Sequence, residues 1–191
     1  MNQDTGETYL YAFTFLDIGL IRSRMKLKSR VLTFIFIIIP VLVIDQITKI
    51  IARNELQTGK VFSYLDGMLR IQYAENPGAF LGWGSTLPPI WRTILFSILP
   101  FILLAVLAAS ILRSSDANWS AVTGAALIFG GGLGNLIDRL IFQGMVTDFA
   151  LMKVGPLRTG IFNIADVAIT SGVILLILYH VIREPFKKAQ L

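Results

Sequence analysis

The sequence is short of the residues that proteins most often use as nucleophiles, bases and metal ligands. It has no cysteine and a single histidine, His180, in 191 residues. The absence of cysteine excludes disulfides, thiolate metal sites and a cysteine nucleophile. One histidine, placed in an apolar run, does not suit a multi-histidine zinc site or a Ser-His-Asp triad. We therefore expect no metal and no cofactor, and proton chemistry falls to the 12 Asp and Glu residues.

Charged residues are also scarce. Only 15% of the residues are charged, whereas 54% are hydrophobic, and the mean hydropathy of +0.69 is far above that of a soluble domain. The net charge of +5 comes from basic residues that lie beside apolar runs, where they act as membrane-topology signals. We therefore expect a chain that spans a membrane and has no nucleic-acid partner.

Four apolar segments are long enough to cross a bilayer, which takes about 20 helical residues. They cover roughly residues 31–52, 91–112, 119–140 and 162–182. Basic residues precede the first segment as they do in a signal peptide, but no small-residue cleavage site follows, so this segment is predicted to be retained. We expect a single membrane-embedded domain over residues 31–191, after an N-terminal arm of residues 1–30.

The distribution of Lys and Arg predicts the side of the membrane on which each loop lies. With the N-terminus in the cytoplasm, the inner flanks carry nine basic residues, which are Arg22, Arg24, Lys26, Lys28, Arg30, Arg113, Arg183, Lys187 and Lys188. The outer loops then carry five, which are Arg53, Lys60, Arg70, Lys153 and Arg158. Because cytoplasmic loops are enriched in Lys and Arg, both termini are predicted to be cytoplasmic.

The long loop at residues 53–90 has the pattern of a β-hairpin. Residues 60–73 contain β-rich flanks around a central Asp66-Gly67, which suits a two-residue type I′ turn. We therefore expect an all-α membrane protein, a bundle of four transmembrane helices, with a small β-sheet or β-cradle on its outer surface.

Three aspartates of the predicted helices fall at the same depth. Asp45 lies in the outer third of the first span, Asp138 ends the third span, and Asp166 lies about one turn inside the fourth. Asp148 lies in the loop between the last two spans. A carboxylate at membrane depth costs several kcal/mol unless it is paired, hydrated or protonated. These acids therefore predict a polar cavity at one side of the membrane.

A structural role is the simpler interpretation for two of these acids. Asp45 and Lys49 have the i, i+4 spacing, acid first, of a helix ion pair. Asp138 and Arg139 suit an interfacial anchor, with Asn135 on the same helix face. Small residues before them let a neighbouring helix approach closely; these are Gly130, Gly131, Gly132 and Gly134.

Asp148 and Asp166 are harder to explain by structure alone. No cation lies within one turn of Asp166, and Asn163, on the same helix face, is expected to donate a hydrogen bond to it. Two carboxylates in a partly dry site cannot both ionise readily, so one proton is held between them. One acid can then act as general base on water while the other polarises a carbonyl. The pair therefore predicts amide hydrolysis without a metal, a serine or a cysteine.

Five blocks of the sequence resemble the lipoprotein signal peptidases (signal peptidase II) of bacteria, in the right order and over nearly the whole chain from about residue 31. They are Asp45-Gln-Ile-Thr-Lys49, Asn76-Pro-Gly78-Ala-Phe80, Gly134-Asn135-Leu-Ile-Asp138-Arg139, Val146-Thr-Asp148-Phe149 and Phe162-Asn163-Ile-Ala-Asp166. The resemblance implies an aspartic endopeptidase of the bacterial inner membrane, with its active site on the outer side. Its substrates would be diacylglyceryl-modified prolipoproteins, cut just before the lipidated cysteine, with membrane lipid as a further partner.

The same resemblance implies a role for each matching residue. Asp148 and Asp166 would be the catalytic pair, while Asp45 and Lys49 would mainly stabilise the fold near the site. Six further residues would shape the site or hold the substrate, namely Asn76, Gly78, Asn135, Asp138, Arg139 and Asn163.

The loop from Tyr73 to Gly84 is expected to be a mobile cover over the acids. A turn sequence begins at Asn76, and Phe80, Leu81 and Trp83 give the loop an apolar tip that can rest on lipid or substrate. The alternative is that this tip only anchors the sheet in the membrane interface.

Two other functions stay open at this point. A proton-coupled transporter would use the acids as a relay, although the polar residues stop in the outer third of the spans. A non-catalytic assembly factor would use the glycine-rich helix and the hairpin for docking, but it would leave Asp166 without a purpose.

Overall fold

Four helices are long and apolar enough to cross a membrane. The computed structural model describes residues 24–78, 84 and 86–188. The helices are α1 at Leu27–Leu56, α2 at Pro89–Arg113, α3 at Trp119–Ile141 and α4 at Ile164–Lys188. The prediction of a four-helix membrane bundle is confirmed, and α1 extends four residues beyond each end of the predicted span. Most of the predicted N-terminal arm, residues 1–23, lies outside the described residues.

Helix α3 lies at the centre of the bundle. In the most apolar stretch of α3, 56% of the residues are buried. The corresponding shares are 17% for α1, 6% for α2 and 17% for α4. Close helix approach depends on its small residues. A Cβ at Gly131 would lie 2.4 Å from the carbonyl oxygen of Ala165 in α4, and one at Gly172 of α4 would lie 2.5 Å from the carbonyl oxygen of Gly124 in α3. Backbones therefore meet directly between α3 and α4, as in other glycine-mediated membrane contacts.

The outer faces of the helices are apolar and exposed. Phe36 of α1 is 82% exposed and Phe101 of α2 is 63% exposed, and many Ile, Leu and Val side chains of the same helices are about half exposed. Soluble proteins rarely expose contiguous apolar surface of this extent. The chain is therefore a multi-pass membrane protein whose helices present these faces to lipid.

A four-stranded antiparallel sheet lies at one end of the bundle, which we call the sheet end. The strands are β1 at Val61–Tyr64, β2 at Leu69–Asn76, β3 at Val146–Val154 and β4 at Leu157–Arg158. Their order in the sheet is β1-β2-β3-β4. The expected hairpin is therefore confirmed as β1 and β2. The segment between α3 and α4 forms the other two strands of the sheet.

The turn of the hairpin is longer than the sequence predicts. Tyr64 pairs with Leu69, so four residues connect the strands, and the expected two-residue type I′ turn is wrong. Leu65, Asp66 and Gly67 have φ values of +53°, +53° and +85°. The Asp-Gly pair thus lies within a wider left-handed turn that begins one residue earlier, because Leu65 also adopts positive φ.

Asp148 lies in strand β3 and not in a loop, contrary to the expectation from the sequence. The first three residues of the strand, Val146 to Asp148, are buried, whereas its far end is exposed. A bulge in β2 between Ile71 and Ala74 interrupts the ladder beside it. Strand β3 therefore carries Asp148 from the sheet onto the end of the helix bundle.

The opposite end of the bundle is closed by the start of α1. The backbone N–H of Met25 donates to the carbonyl of Ala117 at 3.0 Å. The buried guanidinium of Arg30 donates to the carbonyls of Ile111 and Ser114. Because the last carbonyls of a helix lack partners within it, Arg30 caps the C-terminal end of α2.

Candidate active site

The sheet end of the bundle contains a cavity of about 490 Å³. Six of the residues that the sequence assigns to the site line it, namely Asn76, Gly78, Asn135, Arg139, Asp148 and Asp166. The other four, Asp45, Lys49, Asp138 and Asn163, do not line it but are fully or almost fully buried. The structure thus separates residues that can meet a ligand from residues that can only support them.

Asp148 is 2% exposed and accepts a hydrogen bond on each carboxyl oxygen. The side-chain amide of Asn163 donates to Oδ1 at 2.7 Å, and that of Asn76 donates to Oδ2 at 2.9 Å. Burial, with a smaller effect from the charge of Asp166, raises the pKa of Asp148 to about 7, although the two amide donors oppose this. Asp148 can therefore gain or lose a proton near neutral pH, as an acid-base group must.

Asp166 is held by the first turn of α4. Its backbone N–H donates to the side-chain oxygen of Asn163 at 3.0 Å, and the backbone N–H of Asn163 donates to its Oδ2 at 3.2 Å. This reciprocal pair is a capping box, because Asn163 precedes the first residue of the helix. Oδ1 of Asp166 accepts a third bond from the side-chain amide of Asn135 at 3.0 Å.

The side chain of Asn163 contacts both acids. The expected hydrogen bond from Asn163 to Asp166 is present, and it is made by the backbone N–H. Because its oxygen caps the helix, its amide NH₂ is left to donate to Asp148. Asn163 consequently contacts both acids and fixes one relative to the other.

The orientation of each amide that meets the acids is fixed by a second partner. Oδ1 of Asn135 accepts from the ammonium of Lys49 at 2.9 Å, which directs its NH₂ group to Asp166. Oδ1 of Asn76 accepts from the backbone N–H of Gly78 at 3.0 Å, which directs its NH₂ group to Asp148. The donors are thus preorganised before any ligand binds.

A network of buried charges lies behind the cavity. The ammonium of Lys49 is 2.9 Å from Asp45 and 3.4 Å from Asp138, and all three side chains are 0% exposed. The predicted ion pair of Asp45 and Lys49 is therefore present, with Asp138 as a third member. Buried ions of this kind are tolerated only when each is paired and hydrogen-bonded.

The two buried acids also bind backbone groups next to the candidate catalytic acids. Asp45 accepts from the N–H of Ala165 at 2.9 Å, and Ala165 immediately precedes Asp166. Asp138 accepts from the N–H of Thr147 at 2.9 Å, and Thr147 immediately precedes Asp148. Each acid in the network therefore helps to hold the backbone that carries one member of the pair.

Arg139 joins α3 to the end of β2. Its guanidinium donates to the carbonyl of Gly78 at 3.2 Å and to that of Asn135 at 3.4 Å. Its Nε is buried without a hydrogen-bond partner in the part of the chain that the structure describes. Arg139 therefore links the chain at Gly78 to α3 and lines the cavity.

Sequence reasoning missed three residues at this end of the bundle. Gln46 donates to Asp45 at 3.1 Å and to Asp138 at 3.3 Å. Arg53 donates to the hydroxyl of Thr147 at 2.6 Å. Helical spacing contained a signal for Arg53, because it continues the i, i+4 series of Asp45 and Lys49 by one further turn.

Part of the predicted site is not described. The apolar tip of the expected cover, Phe80, Leu81 and Trp83, lies outside the described residues. Across the ranges that the structure describes, no group of three or more His, Asp or Glu side chains is arranged to hold a metal ion.

Comparison with known proteins shows which family and which fold this chain resembles. A family model described as signal peptidase (SPase) II matches residues 37–182. A lipoprotein signal peptidase of Syntrophus aciditrophicus is 30% identical over 151 residues, which cover 79% of this chain and 93% of that protein. One of Bifidobacterium adolescentis is 33% identical over 174 residues, covering 88% and 87%.

Solved structures show the same fold. One bacterial membrane enzyme superposes with a TM-score of 0.68 at 30% identity, covering 84% of this chain and 92% of that chain. A second superposes with a TM-score of 0.66 at the same identity, covering 82% and 95%. The chain belongs to the signal peptidase II family.

Proposed function

We propose that the chain is an aspartic endopeptidase that removes signal peptides from diacylglyceryl-modified prolipoproteins, cutting just before the lipidated cysteine. Membership of the signal peptidase II family supports the peptidase activity and the class of substrate. The aspartic mechanism is supported by one observation above all. Asp148 and Asp166 line the same cavity and share Asn163 as a hydrogen-bond partner, and the pKa of Asp148 is raised to about 7.

The two acids have complementary roles in the proposed reaction. Asp166 takes a proton from a water molecule, whose oxygen attacks the carbonyl carbon of the scissile amide. Asp148, whose pKa is raised to about 7, holds a proton below that pH and donates a hydrogen bond to the carbonyl oxygen as negative charge develops there. The carbon–nitrogen bond then breaks, and the departing amine takes up the proton that came from water.

The remaining cavity residues hold the substrate and the loop. Arg139 places its positive charge beside the substrate, and Asn76 and Gly78 form the turn that closes the cavity on the β2 side. The cavity continues along α4 past Thr170 and Ser171, so an extended peptide can lie beside that helix. Membrane lipid is the second partner, because the diacylglyceryl chains can stay in the bilayer while the amide reaches the acids.

The proposed location is the bacterial inner membrane with both termini in the cytoplasm. The Lys and Arg bias of the flanks supports this orientation, which puts the sheet end on the outer side. Residues 31–191 then form one membrane-embedded peptidase domain. The binding of nucleic acid has no part in this function.

Cleavage by the purified protein tests the proposal. In lipid or detergent, the wild-type chain should cut a lipidated precursor and leave an otherwise identical unlipidated precursor intact, as seen by gel shift and by the mass of the product. Asp148→Asn and Asp166→Asn should each abolish cleavage. If either variant stays active, the aspartic mechanism fails, and if wild type moves protons across vesicles without cutting, the transporter is the better account.

A further inference from the structure

Thr147 is bonded to three different helical elements, and no role in the chemistry is yet assigned to it. Its N–H donates to Asp138 of α3 at 2.9 Å, and its carbonyl accepts from the side chain of Asn163 at 3.3 Å. Its hydroxyl accepts from Arg53 of α1 at 2.6 Å. The residue is 3% exposed, so these bonds are shielded from water. All its polar atoms are therefore used one residue away from Asp148.

Arg53 is fixed on a second side by an aromatic ring. Its guanidinium carbon lies 4.2 Å from the centre of the ring of Phe142, the residue that follows α3. A planar guanidinium can stack on a ring with its face and donate hydrogen bonds along its edge, which a lysine ammonium cannot do. Arg53 is therefore a rigid donor to the hydroxyl of Thr147.

The hydroxyl, and not the nearby carboxylate, is the principal partner of Arg53. The guanidinium lies 3.6 Å from Oδ2 of Asp138, beyond hydrogen-bond distance, whereas the ammonium of Lys49 is closer to the same oxygen at 3.4 Å. Asp45 and Asp138 share the single charge of Lys49, so Arg53 also helps to balance the buried network. Its hydrogen bond to the hydroxyl, at 2.6 Å, is the contact through which Arg53 acts on the position of Thr147.

The strand beside Asp148 needs such a restraint. The pairing of β2 with β3 is interrupted between Ile71 and Ala74, and Asp148 pairs with Ala74 at the edge of this bulge. A bulge leaves part of the ladder unpaired and bends the strand, so the ladder alone holds Asp148 loosely. Displacement of a catalytic group by about 1 Å can cost about 100-fold in rate.

We propose that Arg53 and Thr147 form a positioning pair, in which a hydrogen bond from the end of α1 holds the start of β3 and so sets the place of Asp148 relative to Asp166. This inference rests on the proposed function, since it assigns the pair to the same reaction. Neither residue lines the cavity. The pair therefore controls the rate of the chemical step and leaves substrate affinity almost unchanged.

The test compares kcat and KM for cleavage of a lipidated precursor by four variants of the full chain. Arg53→Gln and Thr147→Val each remove the bond, and each should lower kcat about tenfold while KM stays within about twofold. The kcat of the double variant should lie within about twofold of the kcat of the less active single variant, because both changes break the same interaction. Thr147→Ser keeps the hydroxyl and should stay within about threefold of wild type, as expected if the hydroxyl is the required group.

A matched control separates positioning from stability. Arg30→Gln removes a buried arginine at the opposite end of the bundle, with its bonds to Ile111 and Ser114. Arg30→Gln should lower the thermal midpoint at least as much as Arg53→Gln does and leave kcat of the folded protein unchanged. If Arg30→Gln lowers kcat equally, general destabilisation explains the result and the inference is overturned.

Other outcomes also decide the question. A kcat within about twofold of wild type for Thr147→Val, or multiplicative losses in the double variant, would overturn the positioning pair. Retained cleavage by Asp148→Asn would instead overturn the proposed function. The two failures are distinguishable because wild type and Asp148→Asn are measured in the same assay.

Discussion

The two ends of the helix bundle use their buried side chains in different ways. At the opposite end, the core is a cluster of apolar side chains that includes Phe34, Val122 and Ala126, and the ring centres of Phe34 and Phe129 are 5.4 Å apart. At the sheet end, the fully buried side chains include Asp45, Lys49 and Asp138.

The apolar cluster and the buried charges have different physical consequences. Apolar packing is non-directional, so it joins helices without setting the direction of any one group. Charged groups bind along defined directions, and here they hold the backbone just before Asp148 and Asp166. The difference teaches that the buried charges of the sheet end specify positions, at a desolvation cost that the apolar cluster of the opposite end avoids.

Removal of either cavity acid should have the largest effect on activity, and it tests the role of the sheet end most directly. Asp148→Asn and Asp166→Asn should each lower kcat by roughly 10² or more, because an amide cannot exchange a proton in the reaction. Both should remain folded, since an amide still fits the space and its oxygen still accepts one hydrogen bond. Turnover assays with thermal unfolding of the same samples measure both properties, and activity within about tenfold of wild type would remove that residue from the chemistry.

Removal of a buried acid behind the cavity should harm stability and activity together. Asp45→Ala leaves Lys49 near the membrane core with one acid fewer, which costs about 3–5 kcal/mol for a broken buried pair. It also removes the acceptor for the N–H of Ala165, so Asp166 should shift. Thermal unfolding and kcat of the surviving protein are the measurements. Full activity in the folded fraction would show that Asp45 serves stability alone.

The pH dependence of stability should reveal Asp148. Its pKa is about 7 in the folded protein, above the ordinary value of 3.8, so the folded chain binds a proton there more tightly than the unfolded chain does. The contribution of Asp148 to the free energy of unfolding is complete below about pH 4, and it is lost as the pH rises through about 7. Thermal midpoints at pH 5 and pH 8 should differ more in wild type than in Asp148→Asn. Equal differences would mean that Asp148 does not titrate in this range.

The smallest effect should come from the glycine contacts between helices. Gly172→Ala puts a methyl group against the backbone of Gly124 and should destabilise by about 1–3 kcal/mol, the usual cost of overpacking. Gly130→Ala is the control, because its methyl group would meet the side chain of Val41 at 3.1 Å and needs less adjustment. Neither should change kcat. A loss of kcat in Gly172→Ala would show that helix packing also sets the site.

The sequence predicts the helices and the depth of the acids because both depend on local properties. Long apolar runs define the four spans, and a rise of about 1.5 Å per residue converts position in the helix into depth. The i, i+4 spacing of Asp45 and Lys49 similarly predicts their ion pair. These features need no knowledge of how the helices are arranged.

The remaining features depend on contacts between distant parts of the chain. The hydrogen bond from the N–H of Ala165 to Asp45 joins residues 120 positions apart in the sequence. The bond from Arg53 to Thr147 joins residues 94 positions apart. Strand β3 forms only because β2 is available to pair with it, so a loop was the natural expectation for Asp148. The bond from the side chain of Asn163 to Asp148 was not predicted, because it depends on the use of the Asn163 oxygen in the cap of α4, a geometric detail that spacing alone does not reveal.

The chain of contacts from Lys49 through Asn135 to Asp166 has a consequence for assembly in the membrane. Helix α1 carries Asp45 and Lys49 one turn apart, so it can enter lipid with its charges already paired. Helix α3 follows and supplies Asn135, whose amide Lys49 orients. Helix α4 comes last with Asp166, which then meets a donor already in place. The order of the helices along the chain thus puts Asn135 and the ammonium that orients it before the acid that uses them.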